Sequence, residues 1–211
     1  MYDLGDQLSE VTVPPGTNLL VAGPPLTGKR RLALETLASG ARDGDGSILV
    51  TARDSADRML TEYGQLVDPE TAPMSVIDAV TRHLGSPVEE SERISYVTSP
   101  TEMTEIGVEF SEMLKSYDRQ AGIDRTRVVV DSLTTLLLYS NLQTVFRFMH
   151  VFTSRVENAN AIGLYTIEAT AHGCETMSTL RQLFDGTVRV DSDGTMTVEI
   201  DTAPTRAEPS D

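Results

Sequence analysis

The chain has 211 residues, of which 32 are acidic and 17 basic, for a formal net charge of -15. That length suits one α/β domain with a sizeable core and leaves little room for a second; the ordinary hydrophobic content, 39%, argues against wholesale disorder. No apolar run reaches the roughly 18 residues of a membrane span, the acidity leaves no basic stripe for nucleic acid, and the single cysteine, Cys174, allows no intrachain disulfide.

Only two of the basic residues are lysines, Lys29 and Lys115. So acidic a surface repels itself in dilute buffer, and molar salt relieves the repulsion by shortening the Debye length to about 3 Å. Acidic excess and scarce lysine together point to a cytoplasmic protein of a salt-accumulating halophile, of archaeal type. Met1 to Glu10 is acidic and lacks the charged-then-apolar pattern of a signal peptide.

Along the chain, apolar strands alternate with amphipathic helices. Thr17 to Ala22 reads as a strand buried on both faces, and Gly23-Pro24-Pro25-Leu26-Thr27-Gly28 breaks it. Leu32, Leu34, Leu37 and Ala38 then recur at helical spacing, and Asp43 to Gly46 is a turn. Ser47 to Thr51 is a second strand and Ser55 to about Leu66 a helix. Met74 to Val80 reads either as a strand or as a helix continuing to Leu84. Gly85 to Glu92 is a polar connection and Ile94 to Thr98 a strand. Ser99-Pro100-Thr101-Glu102 has the pattern of a capping box opening a helix that Gly122 ends. Arg127 to Val130 is a strand feeding Asp131; helices follow over Leu133 to Tyr139 and from Leu142 to Val156. Ala161 to Ile167 is a strand, Met177 to Phe184 a short helix, and Thr187 to Val190 with Met196 to Ile200 a hairpin. The tail from Ala203 frays, so the expected domain spans residues 1–202 and the acidic tail 203–211. Arg30-Arg31 and Arg125/Arg127 read as isolated basic clusters.

This alternation predicts an α/β fold of three layers with a mostly parallel central sheet and a C-terminal β-hairpin. Ligands on such sheets sit beyond the carboxyl ends of the strands. Gly23, Arg53, Asp131 and Glu168 all fall there.

Gly23 to Lys29 matches G-x-x-x-x-G-K between a strand and a helix. Such a loop turns backbone amides inward around phosphates, the helix N-terminus adds its dipole, and Lys29 reaches the β- and γ-phosphates. The candidate nucleotide-binding set is Gly23, Pro24, Pro25, Leu26, Thr27, Gly28 and Lys29, with Arg30 and Arg31 opening the helix. The next position departs from the pattern: a Ser or Thr hydroxyl there binds Mg²⁺, and this chain has Arg30, which cannot ligate a metal. Arg30 either points toward the phosphates and partly replaces the cation, or swings to the surface. Val128-Val129-Val130-Asp131 is an apolar strand ending in a carboxylate, the pattern that holds the Mg²⁺ shell. Asp131 alternatively caps the next helix. His172-Gly173-Cys174 lacks further ligands at zinc spacing.

The phosphate loop, the Asp131-Ser132-Leu133 segment and the Leu183-Phe184-Asp185-Gly186 turn resemble the RecA/KaiC-like ATPases over roughly residues 15 to 200. The resemblance implies a RecA-like P-loop domain, ATP as ligand, Mg²⁺ at Asp131, and assembly as a homo-oligomer or with a protein partner. It also implies a catalytic glutamate just past the second strand, within a segment similar to V-T-F-E-E-S. This chain reads Val50-Thr51-Ala52-Arg53-Asp54-Ser55, which puts Arg53 at that glutamate and Asp54 one position later. Asp54 either takes over as the base or caps the following helix. Glu168, ending its strand beside the site, is either a sensor of the γ-phosphate or a loop carboxylate. With Arg30 and Arg53 substituted, the sequence supports three readings. The first is an ATP-binding regulatory or signalling protein with weak or absent hydrolysis. The second is an active ATPase completed by Asp54 and Glu168 or by a neighbouring subunit. The third is a scaffold that binds protein partners without nucleotide. A strand-exchange recombinase is disfavoured for want of a basic, Gly-rich DNA loop.

Overall fold

The computed structural model describes residues 1–88, 91–119 and 122–200. The predicted tail lies outside the described residues. The strands are β1 (Tyr2–Asp3), β2 (Thr12–Val13), β3 (Asn18–Gly23), β4 (Gly46–Thr51), β5 (Ser75–Asp78), β6 (Ile94–Tyr96), β7 (Thr126–Asp131), β8 (Ile162–Glu168), β9 (Gly186–Val190) and β10 (Met196–Ile200). The helices are α1 (Lys29–Arg42), α2 (Ala56–Tyr63), α3 (Met103–Arg119), α4 (Leu133–Tyr139), α5 (Leu142–Asn158) and α6 (Cys174–Arg181).

Eight strands form one sheet in the order β10-β9-β3-β8-β7-β4-β5-β6, parallel throughout except for the antiparallel β9–β10 hairpin. Strands β3, β4 and β7 are buried at every residue because both faces of the sheet are covered. Alternate residues divide between two cores. Leu20, Ile48, Val50, Val128, Val130, Tyr165 and Ile167 face α3, α4, α5 and α6, where Phe110 and Phe152 stack with centroids 4.1 Å apart. Leu19, Val21, Leu49, Val129 and Leu164 face α1 and α2. The result is the expected three-layer α/β fold with a mostly parallel sheet.

Several local expectations change. Residues 75–78 are strand, and the helical alternative through Leu84 is not adopted. The capping box at Ser99 does not form. The Ser99 hydroxyl meets Thr101, the Glu105 carboxylate takes the Thr98 amide at 2.9 Å, and α3 starts only at Met103. The sixth helix begins at Cys174, three residues early. The N-terminal stretch forms the β1–β2 ribbon, whose Tyr2, Leu4, Leu8 and Val13 join the core under α1. Arg125 and Arg127 are not an isolated basic cluster. Arg127 is fully buried, its Nε 2.8 Å from Asp45 and its Nη2 2.8 Å from Asp3, while Arg125 shares Asp45 at 2.8 Å.

Candidate functional site: an arginine-filled phosphate cleft

Sheet register alone assembles the carboxyl-end residues. Gly23 at the end of β3 pairs with Glu168 of β8, and Thr51 at the end of β4 pairs with Asp131 of β7. Chain segments leaving those ends surround a cleft of about 170 Å³, lined by Leu26 to Arg30, Arg53, Arg58, Asp131, Ser132, Thr166, Ile167 and Glu168.

The loop between β3 and α1 is tightly specified. A side chain at Gly23 would collide with the Val190 carbonyl of β9. Leu26 and Gly28 take positive φ, 61° and 93°; the second is where glycine's freedom is needed. Leu32 is the first helical residue whose amide reaches a carbonyl, that of Gly28 at 3.0 Å, so the amides of Gly28 to Arg31 are the orphan donors of the α1 N-terminus. Pro24 and Pro25 contribute no N–H. Lys29 is buried at the cleft and donates to the Pro24 carbonyl. Burial pushes its ammonium below the ordinary lysine range, opposed by Glu168 and Asp131.

Arg30 borders the cleft rather than swinging to the surface. Its side chain, 18% exposed, is held by three carboxylates: Nε lies 2.8 Å from Asp131 Oδ2, Nη2 pairs with Asp54, and Nη1 lies 3.5 Å from Glu62 Oε1. Burial opposes its charge, but Asp131, Asp54 and Glu62 outweigh that and raise its pKa. Arg58 braces the same group, 2.9 Å from Asp54 and 3.2 Å from Glu62. Arg53 reaches Glu168 at 3.1 Å and Asp54 at 3.8 Å. Four cations, Lys29, Arg30, Arg53 and Arg58, thus balance four carboxylates, Asp54, Glu62, Asp131 and Glu168.

Neither aspartate is a helix cap. Ser55 caps α2, whose first amide is taken by Asp78 at 2.7 Å, and Ser132 caps α4. Asp131 therefore lines the cleft, and Asp54 is left to pair with Arg30 and Arg58. Asp131 accepts from the Thr166 hydroxyl at 2.6 Å on its second oxygen. Glu168 ends β8, its amide donating to Thr134 Oγ1 at 2.8 Å, and His172 Nε2 lies 3.1 Å from the same hydroxyl. The Arg31 side chain does not join the set: it is 71% exposed and pairs with Glu35 at 2.7 Å along the outer face of α1. The sequence reading missed Arg58, Glu62, Thr134 and Thr166. For the first two the signal was present, since residues 54, 58 and 62 alternate in charge at four-residue spacing, one helix face.

This mostly parallel sheet, covered by helices on both faces, has a RecA/KaiC-like fold. A KaiC-like protein from the hyperthermophilic archaeon Pyrococcus horikoshii OT3 has the same fold, with a TM-score of 0.65 over 94% of this chain and 84% of that one, at 16% identity. The chain itself belongs to a family of unknown function, DUF7504, whose model matches residues 16–190. No curated protein matches it.

The fold implies a nucleotide and a magnesium ion. Orphan amides beside a lysine fit phosphate oxygens. The metal does not fit. Magnesium demands near-octahedral oxygen ligands at about 2.0–2.1 Å. Position 30 supplies no oxygen, and both oxygens of Asp131 already accept from Arg30 and Thr166. Among the described residues no group of three His, Cys, Asp or Glu side chains is arranged to hold a metal.

Proposed function

We propose that this chain binds ATP through Gly23–Lys29 as a RecA/KaiC-like regulatory or signalling protein that hydrolyses the nucleotide weakly or not at all. The observation that carries the reading is Arg30, which occupies the metal ligand's position and ties up Asp131 and Asp54 together. The amides of Gly28 to Arg31 and the Lys29 ammonium hold the phosphates, and Gly28 allows their close approach. Bound ATP brings the transferable phosphoryl group. Turnover further needs a carboxylate to orient water and a dication to absorb developing charge. The position matched to the catalytic glutamate is Arg53, and the nearby carboxylates of Asp54 and Glu168 are engaged by guanidinium groups. Loss of one such stabilising group costs about 10²–10³ in rate.

An active ATPase would require the Arg30–Asp54 and Arg53–Glu168 pairs to open, or a neighbouring subunit to supply the missing carboxylate. The scaffold reading has its own support: the cleft is charge-balanced without ligand, and Pro24 and Pro25 remove two amides from the loop.

The test is a melting curve in molar KCl, a medium chosen for the acidic surface. ATP at about 100 times its Kd adds about 2.7 kcal/mol to the folded state, a visible rise in Tm. Lys29→Ala is expected to abolish that rise. A rise unchanged in the variant rules out the loop as the site, and no rise in the parent favours the scaffold.

A further inference from the structure

We propose that the Arg30 guanidinium is a built-in cation at the metal's position, so that the cleft takes a nucleoside triphosphate free of divalent metal and discriminates against its magnesium complex. This rests on the nucleotide reading above and adds the ionic form of the ligand. Residue 30 follows the loop lysine directly, where a metal-binding hydroxyl would stand. Its side chain joins the N-terminus of α1 to the strand-end carboxylate Asp131 and to Asp54 and Glu62 at the other wall. A guanidinium so placed supplies positive charge between the loop and Asp131 without coordination chemistry, and its planar fork matches phosphate oxygens as well as carboxylates.

The remaining cations complete the substitution. Lys29, Arg53 and Arg58 border the same cleft, and Arg53 and Arg58 lie over Glu168, Asp54 and Glu62. Asp54, Glu62, Asp131 and Glu168 are therefore each paired with a guanidinium before a ligand arrives. A magnesium–nucleotide complex would bring its dication against a guanidinium that Asp131, Asp54 and Glu62 hold in place. Room for it would require Arg30 to leave all three.

The experiment measures the Kd of ATP for the whole chain by calorimetry in molar KCl, once with EDTA and once with excess MgCl2 at matched ionic strength. The expected result is affinity at least about tenfold weaker in magnesium, because the metal withholds the free nucleotide. Equal or tighter binding in magnesium overturns the proposal while leaving nucleotide binding intact. Absence of binding in both overturns the nucleotide reading and this inference with it. Arg30→Thr restores the hydroxyl and is expected to invert the preference, with magnesium tightening ATP at least about tenfold; an uninverted preference counts against Arg30 as the cause. Should that variant not fold, Arg30→Lys keeps the charge without the fork. It is expected to bind ATP more weakly yet still better in EDTA, and a magnesium preference in it contradicts the proposal.

Discussion

The molecule contains two arginine–carboxylate clusters at opposite ends of the same sheet, built from the same chemistry for different ends. At the amino end of β7, Arg127 has no exposed surface. It spends its donors on Asp3, Asp45 and the carbonyls of Asp3 and Thr36. At the carboxyl end, Arg30 is 18% exposed, touches carboxylates alone and borders an open cleft. The first cluster is closed and ties the N-terminal ribbon to α1 and the sheet. The second faces solvent with lysine and two further arginines beside it. The difference teaches that a buried guanidinium marks a functional site only where its surroundings leave room for something to replace its partners.

The largest effect that sharpens this contrast is on stability. Arg127→Met leaves Asp45 buried with one arginine fewer, and breaking such a pair costs about 3–5 kcal/mol. Arg30→Met leaves Asp131, whose side chain is as buried as that of Asp45, but Asp131 lines a cleft that Lys29 also borders, and the loss is expected to be smaller. Urea midpoints of the two variants decide, and equal losses would erase the distinction. An intermediate effect comes from the adjoining glycines. A side chain at Gly40 would run into Arg127, whereas one at Gly28 meets nothing within 4 Å. Gly40→Ala is expected to cost about 1–3 kcal/mol by overpacking. Gly28→Ala costs about 1 kcal/mol through its positive φ and weakens nucleotide binding, which Gly40→Ala does so only through global unfolding. Calorimetric titration of both variants separates them.

The smallest effect is in acid. The Arg127 hydrogen bond, helped by Ser39 against partial burial, holds Asp3 well below the usual carboxylate range. A depressed folded pKa means that its stabilisation is fully present above the unfolded value of about 3.9 and is lost as pH falls below that toward the folded value. The stability of the parent is therefore expected to fall more steeply than that of Asp3→Asn between about pH 5 and pH 2. Parallel acid limbs in denaturant titrations would show that the closed cluster does not depend on Asp3.

Much of this architecture is legible in the sequence because it rests on periodicity. Runs such as Val128-Val129-Val130 admit only a strand covered on both faces, and the glycine loop stands between such a strand and a helix. Less legible are features that depend on which of two neighbouring polar residues wins a local contest. Ser55 and Ser132 take the caps that Asp54 and Asp131 were equally suited to fill, and so leave both aspartates to pair with Arg30. Ser99 loses a similar contest, because Glu105 takes the Thr98 amide and the helix starts late. Arg127 reads as half of an isolated basic cluster because nothing local announces Asp3, 124 residues away along the chain. Arg30 was legible as a substitution but not as a three-carboxylate clasp, since Asp131 reaches it only through the fold.

In the proposed function the cleft holds ATP and hydrolyses it weakly or not at all. The most direct test mixes excess protein with radiolabelled ATP in molar KCl, separates bound from free nucleotide, and quenches the bound fraction in acid at intervals. Label retained on Lys29-intact protein, absent from Lys29→Ala, and recovered as unchanged ATP after many minutes is the predicted result. Recovery of the bound label as ADP and phosphate within seconds would contradict it, and would make Arg30 and Arg53 parts of a working ATPase.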